Sequence, residues 1–268
     1  MNEVLQLLTD HRSIRSYTDE TVSDEQLDLI IQAAQAAPTS INGQQFTVIA
    51  VKDKERKKKI SELAGGQPWI DQAPVFLLFC ADFNRAKIAL EEYNDTPLEI
   101  TNGLESVLVG AVDVGIALGT ATAAAESMGL GTVPIGAVRG KPDELIELLK
   151  LPKYVFPVSG LVIGHPADRS AKKPRLPQAA VLHHETYQEE DLRTHIEAYD
   201  KQMSEYMKNA PTDRKQETGH KVSLPTISRF IILTFVKCLK NKDLRRINKR
   251  ISLPEHSGRF FLFLKQKR

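Results

Sequence analysis

The first residues with the means to do chemistry are His11, Arg12, Ser13, Ile14 and Arg15. Two guanidinium groups, an imidazole and a hydroxyl fall within five positions. Arginine's planar fork matches a phosphate or a ring carbonyl, so the cluster suits an anionic ligand. It follows Val4, Leu5, Leu7 and Leu8, whose spacing predicts an amphipathic helix. Continued at helical pitch, that helix sets His11 and Arg15 on one face, four residues apart. The alternative is a solvated helix end whose cations only complement the C-terminal dipole. Two further patches hold comparable groups: Gln67 to Trp69, and Lys173 with Arg175.

These patches need elements to carry them. Ser23 with Gln26 three residues on forms a capping box, opening a helix that stops before Pro38. Residues 38–45 are a polar loop, and the β-branched run 46–51 is a strand. A charged helix over 54–63 leads into Gly65-Gly66-Gln67-Pro68-Trp69. Residues 75–81 are apolar on both faces and predict a buried central strand. The longest periodic segment, 103–128, sets Gly110, Ala111, Gly115, Ala117, Gly119, Ala121, Ala123 and Ala124 among Leu and Val, which marks a core or interface helix. Residues 129–139 turn into a short strand whose glycines let a ligand press on the backbone. The spacing of a dinucleotide fingerprint is missing there. A helix opens at Pro142 and ends before Pro152, and 156–164 is the last strand. Lys172 to Pro177 is an extended basic loop, and a charged helix spans about 189–208. Strands and helices mix without a strict βαβ repeat, so the class is α+β.

The chain has 268 residues, 41% apolar and 26% charged, as in ordinary globular proteins. Its opening does not resemble a secretory signal, and no run approaches the ~18 apolar residues of a transmembrane helix, so the expected place is the cytoplasm. Cys80 and Cys238 make neither a disulfide framework nor a metal-ligand spacing. The net charge of +2 hides two opposed parts. Residues 219–268 carry 13 Lys/Arg against 2 Asp/Glu, whereas residues 1–218 carry 23 against 32. Such a break marks a domain over 1–218 and an atypical basic tail over 219–268. The acidic body argues against nucleic acid as a partner. No Ser/His/Asp elbow, zinc-protease helix, Walker loop or Cys/His cluster appears. His183-His184 beside Glu185 is a poor metal site, because adjacent residues on an extended segment point opposite ways.

H-R-S-I-R at 11–15, A-P-T-S-I-N-G-Q-Q at 37–45, G-G-Q-P-W at 65–69, G-L-G-T-V-P-I-G at 129–136 and K-P-R-L-P at 173–177 resemble, in order and spacing, the NAD(P)H-dependent FMN reductase and oxygen-insensitive nitroreductase family. The resemblance spans about residues 1–218. It implies a nitroreductase-like fold, with a mainly antiparallel sheet flanked by helices and FMN at a homodimer interface. His11, Arg12, Ser13 and Arg15 are then expected to bind FMN, with Thr39 where similar proteins often have serine. Gln67 and Trp69 border the isoalloxazine ring, Pro134, Ile135 and Gly136 lie along its other side, and Lys173 and Arg175 hold the phosphate. The phosphate and the reduced ring both carry negative charge, which cations stabilise. Hydride transfer requires alignment rather than an acid or base, consistent with the missing triad. The implied reaction is ping-pong: NAD(P)H, then a flavin, nitroaromatic or quinone. A dedicated quinone or disulfide reductase is a sibling reading. Lys208, Arg214 and Lys215 are candidates for the NADPH 2′-phosphate.

The resemblance stops after Thr218. At face value, residues 226–242 form a basic amphipathic helix suited to an anionic membrane or nucleic acid, the rival function. Codon degeneracy offers another account. Phe230 to Leu244 can be encoded by DNA whose shifted frame reads Y-Y-P-H-I-R-E-M-L-E-K-Q-G-F, which resembles the family's own C-terminus. A frameshift near Thr218 to His220 is therefore expected, leaving a tail that packs poorly.

Overall fold

Alternation along one strand organises the centre of the molecule. The computed structural model describes residues 1–94 and 104–209. They fall into two units, Met1–Lys173 and the residues from Pro174 on. The 218/219 boundary and the basic tail lie outside the described residues.

The helices are α1 (Glu3–Thr9), α2 (Asp24–Gln35), α3 (Lys54–Leu63), α4 (Pro68–Gln72), α5 (Asn84–Asn94), α6 (Leu104–Ser127), α7 (Pro142–Leu149) and α8 (Leu192–Asn209). The strands are β1 (Phe46–Val51), β2 (Val75–Asp82), β3 (Gly131–Ile135) and β4 (Val155–Gly164). In the first unit they form one sheet in the order β1-β2-β4-β3, every neighbour antiparallel, as the α+β expectation required.

Val75, Leu77 and Phe79 of β2 point to one face, and Phe76, Leu78 and Cys80 to the other, all fully buried. On the first face, Ile30 and Ala34 of α2 and Val114, Ala117, Ala121 and Ala125 of α6 complete the core. On the second, Ile60 of α3, Ile70 of α4 and Leu145 of α7 do so. Helices on both sides explain why β2 is apolar throughout. The Cys80 thiol is pushed up to about 12 by burial, with the Asp82 carboxylate adding to the effect.

Local signals account for several boundaries. Both capping-box bonds are present: Gln26 N–H donates to Ser23 Oγ at 3.1 Å, and Ser23 N–H to Gln26 Oε1 at 3.0 Å. Pro68 and Pro142 open α4 and α7, where a missing N–H costs nothing. Pro134 lies on the edge strand β3. Pro157 lies at a bulge in β4, where the register shifts between Phe79 and Cys80. At Gly160 a Cβ would stand 2.5 Å from the Phe76 ring, so Gly160→Ala is expected to lower stability by about 1–3 kcal/mol by overpacking, read by denaturant unfolding.

α6 is two-sided. Its small residues let the helix lie close on the sheet: a Cβ on Gly110 would meet Ala81 Cβ at 2.7 Å. Its outer side exposes Leu104, Val107, Leu108, Val112 and Ile116, and α1 exposes Val4, Leu5 and Leu8. By length and composition α6 is also apolar enough to cross a membrane, but its inner side belongs to the core.

In the second unit α8 packs on a short 3-10 turn, Gln178–Ala180. The helix begins at Leu192, slightly later than its charge pattern indicates. Val181, Leu182, Tyr187 and Ile196 are exposed apolar residues of this unit.

Candidate functional site

The segment expected as a helix end is extended instead. α1 stops at Thr9, where the Asp10 N–H bonds back to Gln6 and Leu7 carbonyls. Ser13 then forms a parallel bridge with Thr132, Ile14 N–H donates to Thr132 O at 2.8 Å, and Tyr17 pairs with Pro166. The free edge of β3 offers backbone partners that a solvated polar helix end lacks, and the chain takes them. Ile14 is buried tightly here: a Cβ on Gly131 would lie 2.8 Å from its side chain. Arg12 and Ile14 line a cleft that His11, Ser13 and Arg15 do not, so the segment presents two sides. The buried Tyr17 hydroxyl, its pKa raised by desolvation, donates to Ile14 O at 2.7 Å.

Arg15 carries the first side. Its guanidinium carbon lies 5.4 Å from the centroid of the Trp69 ring, within cation–π range. Trp69 is delivered by a tight helix exit. α3 ends in a Schellman turn, with Gly66 N–H donating to Ser61 O, Gly65 N–H to Glu62 O, and Gly65 at φ 86°. Gln67 locks that exit, donating to Ala64 O at 2.8 Å while its own carbonyl accepts from Ser61 Oγ at 2.7 Å. Lys57, its pKa lowered chiefly by burial, donates to Ala73 O at the end of α4. Trp69 Nε1 is a buried donor with no hydrogen-bond acceptor among the described residues.

Gly129 makes a second Schellman turn into β3, with φ 77°, its N–H donating to Glu126 O and Leu130 N–H to Ala125 O. β3 ends with Pro134 and Gly136 exposed and Ile135 buried. The Arg139 guanidinium, bonded to Val158 O, lies 3.2 Å from where a Gly136 Cβ would stand. A side chain at Gly136 would therefore press on Arg139.

Arg12 belongs to another cluster. Its two terminal nitrogens donate to the two Asp10 oxygens at 3.0 and 3.1 Å, and Arg169 adds a bond to Asp10 Oδ2 at 2.7 Å. The Arg169 bond, with Arg12 and Lys172 assisting, holds the Asp10 carboxyl below its usual value. Stability from this cluster is thus fully present above the ordinary aspartate pKa of about 3.9 and is lost as pH falls through the lower folded value. Asp10→Asn is expected to make the acid limb of a Tm–pH curve shallower below about pH 4. A cleft of about 930 Å³ opens beside this cluster, bounded by Glu126, Gly131 and Lys172. Trp69, Pro134 and Gly136 are not among its walls, so it is not the flat slot a ring requires.

Thr39 sits apart. It precedes β1, at the sheet edge opposite β3, and its hydroxyl accepts from Gln44 N–H at 3.1 Å. The next residue, Ser40, donates its N–H to Asp113 Oδ1 at 2.9 Å. Asp113 is 1% exposed, and Arg85 clamps the loop's far end through Gln44 O and Phe46 O. Between these anchors Ile41, Asn42 and Gln44 all have φ near 50°, a strained run for non-glycine residues. Lys173 closes the first unit and exposed Arg175 belongs to the second. Lys208 is in the last turn of α8, and Arg214 and Lys215 lie outside the described residues.

Several partners had no warning in the motifs: Asp10, Arg85, Glu126 and Arg169. Asp113 and Glu126 did carry a signal, as the only charges between Ser106 and Glu126 on an otherwise apolar or small-residue helix.

The β3 side of this α+β sheet thus gathers a stacked cation and an indole donor, an arrangement suited to a planar anionic ligand. Comparison with known proteins agrees. Residues 8–165 match the Nitroreductase family and residues 173–222 the Nitroreductase family C-terminal domain. The chain belongs to the nitroreductase family. It is 80% identical over 217 residues to FMN reductase [NAD(P)H] of Bacillus subtilis, covering 81% of this chain and 87% of that protein. It is 40% identical over 218 residues to the oxygen-insensitive NADPH nitroreductase of Salmonella typhimurium, covering 81% and 88%. The solved structure of the hypothetical oxidoreductase YcnD from Bacillus subtilis superposes with a TM-score of 0.80 at 70% identity, covering 93% of this chain and 97% of that one.

Proposed function

We propose that the protein is an FMN-dependent NAD(P)H oxidoreductase that passes electrons to flavins, nitroaromatics or quinones. The Arg15–Trp69 stack, with Pro134 and Gly136 exposed at the end of β3, carries this reading: a cation, a flat wall and an exposed strand end suit an anionic planar cofactor. Identity to an FMN reductase supports it. FMN, when bound, supplies the hydride acceptor and donor. The chain's own residues bind and align it. Arg15, Lys173 and Arg175 meet the negative charge of the phosphate and the reduced ring, and Ser13 and His11 add donors. Arg12, its fork on Asp10, contributes charge from behind. Gln67 and Trp69 border one side of the ring, with Pro134, Ile135 and Gly136 along the other. NAD(P)H and the acceptor use the same open face in turn, which gives ping-pong kinetics. Lys208, with Arg214 and Lys215, meets the 2′-phosphate of NADPH. The enzyme works in the cytoplasm, where NAD(P)H is supplied, with neither nucleic acid nor membrane as a partner.

The working unit is a homodimer. Thr39, on the loop that precedes β1, adds its hydroxyl to a cofactor site that two copies would share. The exposed apolar rows on α1 and α6, and those on the second unit, are surfaces that a partner would bury. The domain proper ends near residue 218. The family match runs to residue 222, and the 80% identity covers 217 residues, 81% of the chain. The sequence beyond is read as the product of a shifted frame, and codons in the gene that cannot yield the alternate frame would end that idea.

Purified protein is expected to be yellow, to release FMN on denaturation and to oxidise NADPH with parallel-line kinetics against an acceptor. A colourless preparation that neither binds added FMN nor oxidises NADPH overturns the assignment.

A further inference from the structure

Glu126, in the last turn of α6, reaches the cofactor strap from behind. Its Oε1 lies 2.7 Å from His11 Nδ1 and accepts the Thr132 hydroxyl at 2.6 Å. Thr132 is fully buried and is the residue on which the strap hangs, through the Ser13 bridge and the Ile14 N–H. One oxygen atom thus joins the strap, the start of β3 and the end of α6. The Glu126 side chain is only 13% exposed and that of His11 27%, so water competes weakly for the bond.

We propose that Glu126 is a positioning residue that sets the hydrogen-bonding identity of His11 in the FMN site. The proposal rests on the reading that residues 11–15 bind FMN. An ionised carboxylate has acceptors only, so His11 Nδ1 carries a proton and donates it. The bond made by one ring nitrogen decides what the other offers. Nε2 is then the nitrogen left for the ligand, with the ring plane fixed by the Nδ1 bond. Asp10 and Arg12 on the same segment and Arg169 beyond them are joined to one another, so among the described residues Glu126 is the charged group that bonds the imidazole. Without the carboxylate, the ring is free to exchange tautomers and to rotate.

The alternative is that Glu126 only buttresses the strap through Thr132. Glu126→Gln, isosteric and uncharged, separates the two when compared with Thr132→Val, which removes the other bond to the same oxygen. Two readouts apply: the His11 tautomer from nitrogen-detected NMR, and the FMN dissociation constant from fluorescence titration. Glu126→Gln is expected to mix the Nε2–H form into a ring that is Nδ1–H in the wild type and to weaken FMN binding about tenfold, the size of one charge-assisted bond. Combined with His11→Phe, it is expected to add little to the His11→Phe loss. Glu126→Asp retracts the carboxylate by one methylene and is expected to move both readouts the same way by less, which covers a poorly folding Gln variant. An unchanged tautomer, fully additive losses, or equal effects of Thr132→Val and Glu126→Gln overturn the proposal. Wild-type protein that binds no FMN overturns the site assignment itself, whereas wild-type binding unaltered in Glu126→Gln overturns only the role of Glu126.

Discussion

Arg15→Ala is expected to weaken FMN binding by about a hundredfold or more. Two losses combine. A hydrogen bond from a charged donor to an anionic ligand contributes about 1.5–3 kcal/mol. The stack over Trp69 holds the guanidinium in place before FMN arrives, and losing that preorganisation adds about 1 kcal/mol. Together they approach 3 kcal/mol, or two powers of ten in affinity. Arg15→Lys restores the charge without the planar fork or the stack, so it is expected to recover only part of the loss. The Tm of the FMN-free protein should fall only modestly, by no more than the Trp69 stack contributes, because Arg15 is partly exposed and its hydrogen bond to Ser13 O is a long 3.4 Å. Titration of FMN against the three proteins decides the matter, and an alanine variant within threefold of wild type removes Arg15 from the site.

The other large effect concerns association. Leu108 and Val112 lie one turn apart on the outer side of α6, 50% and 56% exposed. In the proposed homodimer each is buried, and twofold symmetry counts every substitution twice. Burial of such a side chain stabilises by about 1.5–3 kcal/mol, and an aspartate in its place adds desolvation. The double variant Leu108→Asp, Val112→Asp is expected to raise the dimer dissociation constant by a factor on the order of 10³ or more, turning the protein monomeric at micromolar concentration. FMN affinity should fall with it, since the proposed cofactor site lies at the interface. Sedimentation of a stable dimer by the variant, with FMN retained, would contradict both the surface and the shared site.

Much of the scaffold is written locally. The Ser23–Gln26 box, the prolines opening α4 and α7, and the unbroken apolar run of β2 each specify their element from neighbouring residues alone. The cofactor strap is different. The leucine spacing of α1 runs on naturally into His11 and Arg15, and nothing local reveals that Ile14 finds a backbone partner at Thr132, more than a hundred residues away. Long-range bonds of this kind decide where the helix stops, and propensity cannot anticipate them. The same holds for the supports of the site. His11 with Glu126, Ser40 with Asp113 and Arg85 with Gln44 are separated by 115, 73 and 41 positions. Motif resemblance identifies the residues that meet a ligand, because their types follow its chemistry. It is silent on what holds them, because almost any donor or acceptor at the right place will serve. α5 has a stripe too, Ala86, Ala89, Leu90 and Tyr93 at i, i+3, i+4 and i+7, but two of its four members are alanine, which makes the signal weak.

The thiol at the centre of β2 has a practical consequence. Cys80 has no exposed surface, and burial has pushed its pKa up to about 12, so in the folded protein it offers neither access nor thiolate to an alkylating reagent. Both barriers vanish only when β2 leaves its neighbours on each side. With Cys238 replaced by serine, the alkylation rate of the remaining cysteine becomes a clock for whole-domain opening, recording rare excursions under native conditions that a melting curve passes over.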